Sequence, residues 1–252
     1  TTSVATFTFS EAPTDFTAAD ITAVGGAVSG LAVKAGSNGL VYEATFTADD
    51  GFSGAGSVTV GTGWTDAAGN TGQSGADTVA IDRGNATVTN VVASDLLLTD
   101  ADTGAGKLTV AVTFSEAMST DGANTPVLTF SPAVGSTLTL SGGVWSAGNT
   151  VYTATYDVAD ANVDIDEVSV AVSGAKDAAG NAQATHTAAV EFGIDTLNPT
   201  VAVNIVDANL NDGDTSSLVT FSFSEAPTGF TADDVTVEGG TLTGLAVKAG
   251  TD

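Results

Sequence analysis

The chain has no cysteine, one histidine (His186), one arginine (Arg83) and only five basic residues against thirty acidic ones. Without cysteine there is no disulfide framework and no thiolate metal site, although an extracellular location stays open. With a single histidine and no thiol, nucleophilic triads and zinc sites have no support. The formal net charge of −25 would repel nucleic acid and anionic lipid, which excludes both as partners. No run approaches the roughly 18 apolar residues of a membrane helix, and no signal-peptide pattern opens the residues, so membrane insertion is not expected. No window carries a helical period with caps, so no glycine loop opens a helix to cradle phosphate. Paired carboxylates can hydrolyse glycosides, but nothing separates any pair here from the other acids, and an enzyme is not expected.

What is present is patterned. Hydrophobic residues make up 42% of the chain, too many for an acidic disordered tail. Of the acids, 23 are Asp and 7 are Glu, a balance that suits turns, caps and hard-cation sites over helices.

Self-comparison sets the organisation. Residues 1–36 align without a gap to 215–250, with 24 of 36 positions identical. A more diverged copy lies between them: TFSEA recurs at 113–117, DAAGN stands at 66–70 and 177–181, and Ile-Asp closes both 81–82 and 194–195. Equivalent positions are spaced from 105 (Glu11 to Glu116) to 113 (Asp82 to Asp195) residues, so the unit has domain size. The expected divisions are 1–83, a repeat lacking its first strand; 84–197, a complete repeat; and 198–252, the N-terminal half of a third. Cuts at those places are expected of a window on a longer tandem array. The half repeat is expected to bury little core.

Each unit reads as β. Segments 4–9, 108–114 and 219–223 alternate with period two and are rich in β-branched and aromatic residues. Similar runs follow at 40–47, 57–60, 78–81, 137–140, 150–156, 168–172 and 188–194, with Asn38-Gly39, Asp50-Gly51, Asp121-Gly122 and Asp212-Gly213 marking turns. About seven short strands per roughly 100 residues predict tandem two-sheet sandwiches of immunoglobulin type. Trp64 and Trp145 fall at different places in their repeats and are expected to pack in or beside the core.

At SEAPTDFTAAD, DAAGN and the Ile-Asp ending, the sequence resembles the bacterial Ig-like domains of large repetitive surface adhesins, the RTX-type and biofilm-associated proteins exported by type I secretion. That resemblance implies a non-enzymatic stalk segment at the bacterial cell surface, with Ca²⁺ at domain junctions rigidifying the array and a terminal module elsewhere doing the adhering.

The acids carry the chemistry. Before the TFSEA strand the second repeat has Asp95, Asp100 and Asp102, and the third has Asp207, Asp212 and Asp214; both read D-x4-D-x-D. Alternating carboxylates in a tight loop let several oxygens converge on one ion, and Ca²⁺ takes six to eight. Ig topology then sorts the candidates. At the first junction Asp82 is expected to meet Glu116 and Asp177, with Asp49 and Asp50 nearby. At the second, Asp95, Asp100, Asp102 and Asp195 are expected to meet Glu225, with Asp157, Asp160, Asp164 and Asp166 as further candidates. Asp207, Asp212 and Asp214 would serve a junction beyond residue 252. The expected partners are neighbouring repeats of the same chain. The alternatives are a surface-layer or filament subunit that self-assembles laterally and a module that binds glycan or protein through loops. The second of these requires an exposed cluster from Trp64, Trp145, Phe16 and Phe230.

Overall fold

The computed structural model describes residues 2–248. Every regular element among them is a strand or a short 3-10 turn. The first repeat contains β1 (Thr2–Thr8), β2 (Ile21–Val24), β3 (Gly26–Val33), β4 (Val41–Ala48), β5 (Ser53–Val60) and β6 (Gly75–Asp82). The second contains β7 (Val88–Ala93), β8 (Leu97–Thr99), β9 (Gly104–Phe114), β10 (Val127–Ser131), β11 (Leu138–Ser146), β12 (Val151–Val158), β13 (Asp164–Ser173) and β14 (Ala189–Asp195). The third contributes β15 (Val201–Ile205) and β16 (Val219–Phe223). No helix of the described residues is long and apolar enough to cross a membrane.

Strands pair only within their own repeat. The second repeat is a sandwich of two four-stranded sheets, ordered β11-β12-β9-β7 and β10-β13-β14-β8. Its first strand is shared between the sheets: β7 runs antiparallel to β9, then β8 lies parallel to β14. Strict alternation makes this possible, since inward residues of both sheets meet in one core that fully buries Leu98, Leu108, Val110, Val112, Val168, Val170 and Ile194. Each such side chain contributes about 1.5–3 kcal/mol of hydrophobic stabilisation.

The first repeat has sheets β1-β4-β3 and β2-β5-β6, so β1 and β6 are both edge strands where their counterparts β9 and β14 are internal. Its core is smaller and more aromatic, built on Phe7, Phe16, Phe46 and Ile81. Asn38 and Gly39 both adopt the left-handed backbone (φ 53° and 79°) in a turn within the loop between β3 and β4, a conformation that favours these two residue types. Trp64 stacks edge-on against Phe9, and Trp145 packs on Phe114 and Tyr152, so both tryptophans serve packing. In the third repeat β15 and β16 form a two-stranded sheet, and no described residue from 197 onward is buried.

The links between repeats are short because both ends are fastened. Arg83 donates its backbone N–H to Phe52 in the first repeat, while Ala86 is fully buried in the second and accepts from Ala184. Thr87 and Ser115 then bond reciprocally: the Thr87 N–H donates to the Ser115 hydroxyl at 3.0 Å and the Ser115 N–H to the Thr87 carbonyl at 2.9 Å. Thr200 and Ser224 repeat that pair in the third repeat.

Candidate metal centre

Three acids from two repeats converge where the first repeat ends. Asp82 closes β6, Glu116 follows β9, and Asp177 opens the DAAGN loop; one ligand oxygen from each lies within 4.8 Å of the other two. Among the described residues this is the one group of three or more acids so placed.

The loop is prepared locally. The Asp177 side chain accepts from the Asn181 backbone N–H through Oδ1 and from the Asn181 amide through Oδ2, both at 2.8 Å. Gly180 turns the chain back with φ 95°, where a Cβ would be strained. An isolated bridge between Met118 and Asp177, with Ala178 N–H donating to the Ala117 carbonyl, fastens this loop beside Glu116. Asp177 is 1% exposed. The first repeat builds the same device around Asp66 and Asn70, bridged to Pro13. The second repeat thus presents Glu116 and Asp177 together, and the preceding repeat supplies Asp82.

The electrostatics are those of a site short of positive charge. Burial first, then the charges of Asp82 and Asp177, push the Glu116 carboxyl above its ordinary value. A hard divalent cation would neutralise that crowding, and three carboxylates are the donor set Ca²⁺ prefers, so these residues fit it. Asp49 and Asp50 are not part of the group; Asp50 instead pairs with Arg83 at 3.0 Å.

The second junction differs. Asp95, Asp100, Asp102, Asp195 and Glu225 do not come together as a group of three. Asp95 accepts from the Leu97 N–H, and Asp195 from the Leu197 N–H. Asp102 is turned onto Thr99, accepting from its N–H at 2.9 Å and its hydroxyl at 2.8 Å. Those two bonds hold the Asp102 carboxyl below its usual range. Asp157 accepts from the Gly106 N–H, Asp160 from the Asn162 N–H, and Asp164 stands opposite Asp195 in the strand register. Glu225, the counterpart of Glu116, has Oε1 buried without a hydrogen-bond partner. Asp207, Asp212 and Asp214 are all exposed, and residues 211–214 form a tight turn in place of the 3-10 turn Asp100–Asp102.

Sequence reasoning missed Asn181, which holds Asp177 and also touches Asp82 (3.2 Å to its carbonyl). It also missed three T-x-x-D capping boxes, at Thr17–Asp20, Thr99–Asp102 and Thr231–Asp234. Their signature was present in the sequence.

A family model described as bacterial Ig-like domain matches residues 1–83 and 195–252, more than half of the chain. The match comprises the two repeats that align to each other and leaves residues 84–194 outside it. Comparisons with curated proteins and with solved structures give no match.

Proposed function

Because the chain belongs to the bacterial Ig-like domain family, whose fold is of a non-enzymatic type and whose members are usually modules of extracellular surface proteins, we propose that it is a stalk segment of a secreted repetitive adhesin. In this role the repeats act as spacers for cell adhesion or biofilm formation, and Ca²⁺ bound by Asp82, Glu116 and Asp177 stiffens the junction. The observation that supports this most is the convergence of those three carboxylates from two repeats.

The mechanism is mechanical. Without a cation the three negative charges repel across the junction, while the short link and the Asn181 contact oppose a swivel of one repeat on the next. With a cation, oxygens from both repeats share one charge, and rotation would require breaking that shared coordination. Extracellular modules bind Ca²⁺ at roughly 10⁻⁴–10⁻³ M, which matches a site made of few, partly exposed ligands. Export by type I secretion fits a chain without thiols, which stays threadable until it meets Ca²⁺ outside.

A ligand-binding module is less well supported: Phe16 is buried, Trp64 packs on Phe9, and Phe230 packs on Phe221 and Phe223. The test is thermal melting of the chain with millimolar Ca²⁺ and with chelator. The melting temperature of the first two repeats should rise with Ca²⁺ in the native chain and stay fixed in Asp82→Asn. An unchanged melting temperature in the native chain would sink the calcium reading.

A further inference from the structure

In the second repeat, strand β13 runs on past its partner. Its pairing with β14 ends at Val170 and Ala189, so beyond that point the β14 side of β13 has no ladder. Backbone groups there still need partners, because Val172 is buried. Side chains of an irregular segment, residues 182–186, supply them. The Gln183 side-chain amide donates to the Val172 carbonyl at 2.9 Å, and its oxygen accepts from the Ala175 N–H at 3.2 Å. His186 Nδ1 accepts from the Val172 N–H at 3.3 Å. The segment is a strap, and the half-buried imidazole closes it.

The strap also seats the link between the first two repeats. Ala184 donates its N–H to the carbonyl of the fully buried Ala86 at 2.8 Å. Asn181, just before the strap, donates to the Asp82 carbonyl at 3.2 Å.

The first repeat closes the same place without a titratable group. Aligning the two DAAGN loops sets Gly61 at Val172, Trp64 at Ala175 and Gly72 at Gln183. The structure keeps that correspondence: the Gly72 N–H donates to the Trp64 carbonyl as the Gln183 N–H does to that of Ala175. There the Gly61 carbonyl accepts from the Trp64 indole N–H at 3.1 Å, and the Gly61 N–H donates to the Asp20 carbonyl at 2.8 Å. An indole and a peptide carbonyl keep those roles at any pH. An imidazole does not. Its Nδ1 accepts only while it carries no proton, and the imidazolium offers donors alone. His186 is the only histidine in the chain, and imidazole is the side chain whose ordinary charge change falls between about pH 5 and 8.

We propose that His186 is a proton-operated latch. Protonation sets a ring N–H against the Val172 N–H, releases residues 182–186 and loosens the seat of Ala86 and Asp82. The charged neighbours leave the ring to itself. The strap has no other ionisable group and β10 has none; Asp164, Asp166 and Glu167 lie at the far end of β13. Lys176 precedes the DAAGN loop and Glu191 stands on β14. Among the described residues no acid forms an ion pair with His186.

Linkage fixes the sense of the response. The closed strap excludes the second proton and the open strap admits it, so the open population grows as pH falls. A solvated imidazole has a pKa of about 6.5, so from pH 7.5 to pH 5.0 the ratio of open to closed rises about thirtyfold. The response is local and needs no bound cation. Glu116 acts on global melting in the opposite sense, so amide exchange within the strap, not melting, reads the latch.

The test is hydrogen exchange of the whole 252-residue chain by NMR, in chelator, read as protection factors at pH 7.5 and pH 5.0. The Val172 and Ala184 amides should lose protection about thirtyfold at pH 5.0, while Val112 in β9 keeps its own. The ring protons of His186, the single histidine, should titrate with the same midpoint as that loss. His186→Asn sets an amide oxygen where Nδ1 stood and carries no titrating proton, so both amides should stay protected at both pH values. His186→Ala should leave both exchanging fast at either pH, and far-ultraviolet circular dichroism shows whether that variant folds. Protection that persists at pH 5.0 in the native chain overturns the proposal. So does an equal loss in His186→Asn, which would place the response on the carboxylates, or a folded His186→Ala that keeps both amides protected. None of these outcomes depends on Ca²⁺.

Discussion

Asn181 of the second repeat donates its side-chain amide to the backbone carbonyl of Asp82, 99 residues earlier in the first repeat, at 3.2 Å. The same nitrogen holds Asp177 Oδ2 at 2.8 Å, so one side chain fixes a ligand carboxylate and the neighbouring repeat together. Asn70 is its counterpart in the first repeat and bonds only within its own loop, to Asp66.

Asn181→Ala should therefore cost more than Asn70→Ala. Hydrogen bonds to charged groups contribute about 1.5–3 kcal/mol, and Asp177 is buried, so a loss of about 2 kcal/mol is expected for the second repeat. The exposed loop of the first should lose less. Urea denaturation followed by circular dichroism measures both, and equal losses would deny the contact between repeats any role.

Glu116 gives the metal-free junction a pH dependence of unusual sign for a carboxylate. Its folded pKa is raised, so the folded chain holds that proton more tightly than the unfolded one. The contribution is complete below the ordinary value of 4.5 and is lost as pH rises through the raised folded value. Asp66 and Asp102 act oppositely: their pKa values are lowered, chiefly by the Asn70 amide and the Thr99 N–H, and their contribution disappears as pH falls through folded values below 3.8. In chelator, the melting temperature should climb as pH falls from 7 toward 4.5, then decline in stronger acid. Glu116→Gln should flatten the upper limb.

Thr137 is 1% exposed and its hydroxyl has no hydrogen-bond partner. Replacing it by the near-isosteric valine removes an unsatisfied buried group and keeps the shape. Thr137→Val should stabilise the second repeat by up to about 1 kcal/mol, read from the denaturation midpoint.

Leu98 and Leu210 occupy equivalent sequence positions with opposite burial. Leu98→Ala should cost about 3 kcal/mol through lost burial and a cavity. Leu210→Ala, at a half-exposed position, should stay within about 0.5 kcal/mol. Equal penalties would mean that the third repeat buries its first strand after all.

The strands were legible because period-two alternation is a local property, and the sandwich followed from their number and spacing. The first junction was legible because strand order alone determines which loops share an end of a sandwich, and that brought Asp82, Glu116 and Asp177 together. The D-x4-D-x-D spacing was less informative than it looked. Thr99 precedes Asp100 and ties Asp102 into a capping box, whereas Asn211 stands at that position in the third repeat and accepts from the Gly213 N–H to make a turn. One changed residue thus gives two loop shapes at identical acid spacing. The burial of Asp177 was not legible either, since Asp66 has the same five-residue context and is not buried. Asp177 differs in standing beside Glu116 of its own repeat and Asp82 of the first.

The most direct measurement is a calorimetric Ca²⁺ titration of the native chain beside Asp82→Asn, Glu116→Gln and Asp177→Asn. Three ligands from two repeats should give a saturable site that each substitution abolishes or weakens at least tenfold, Asp82→Asn included although it lies in the other repeat. Binding heat that is absent from the native chain, or that persists unchanged in all three variants, would contradict a calcium-locked junction.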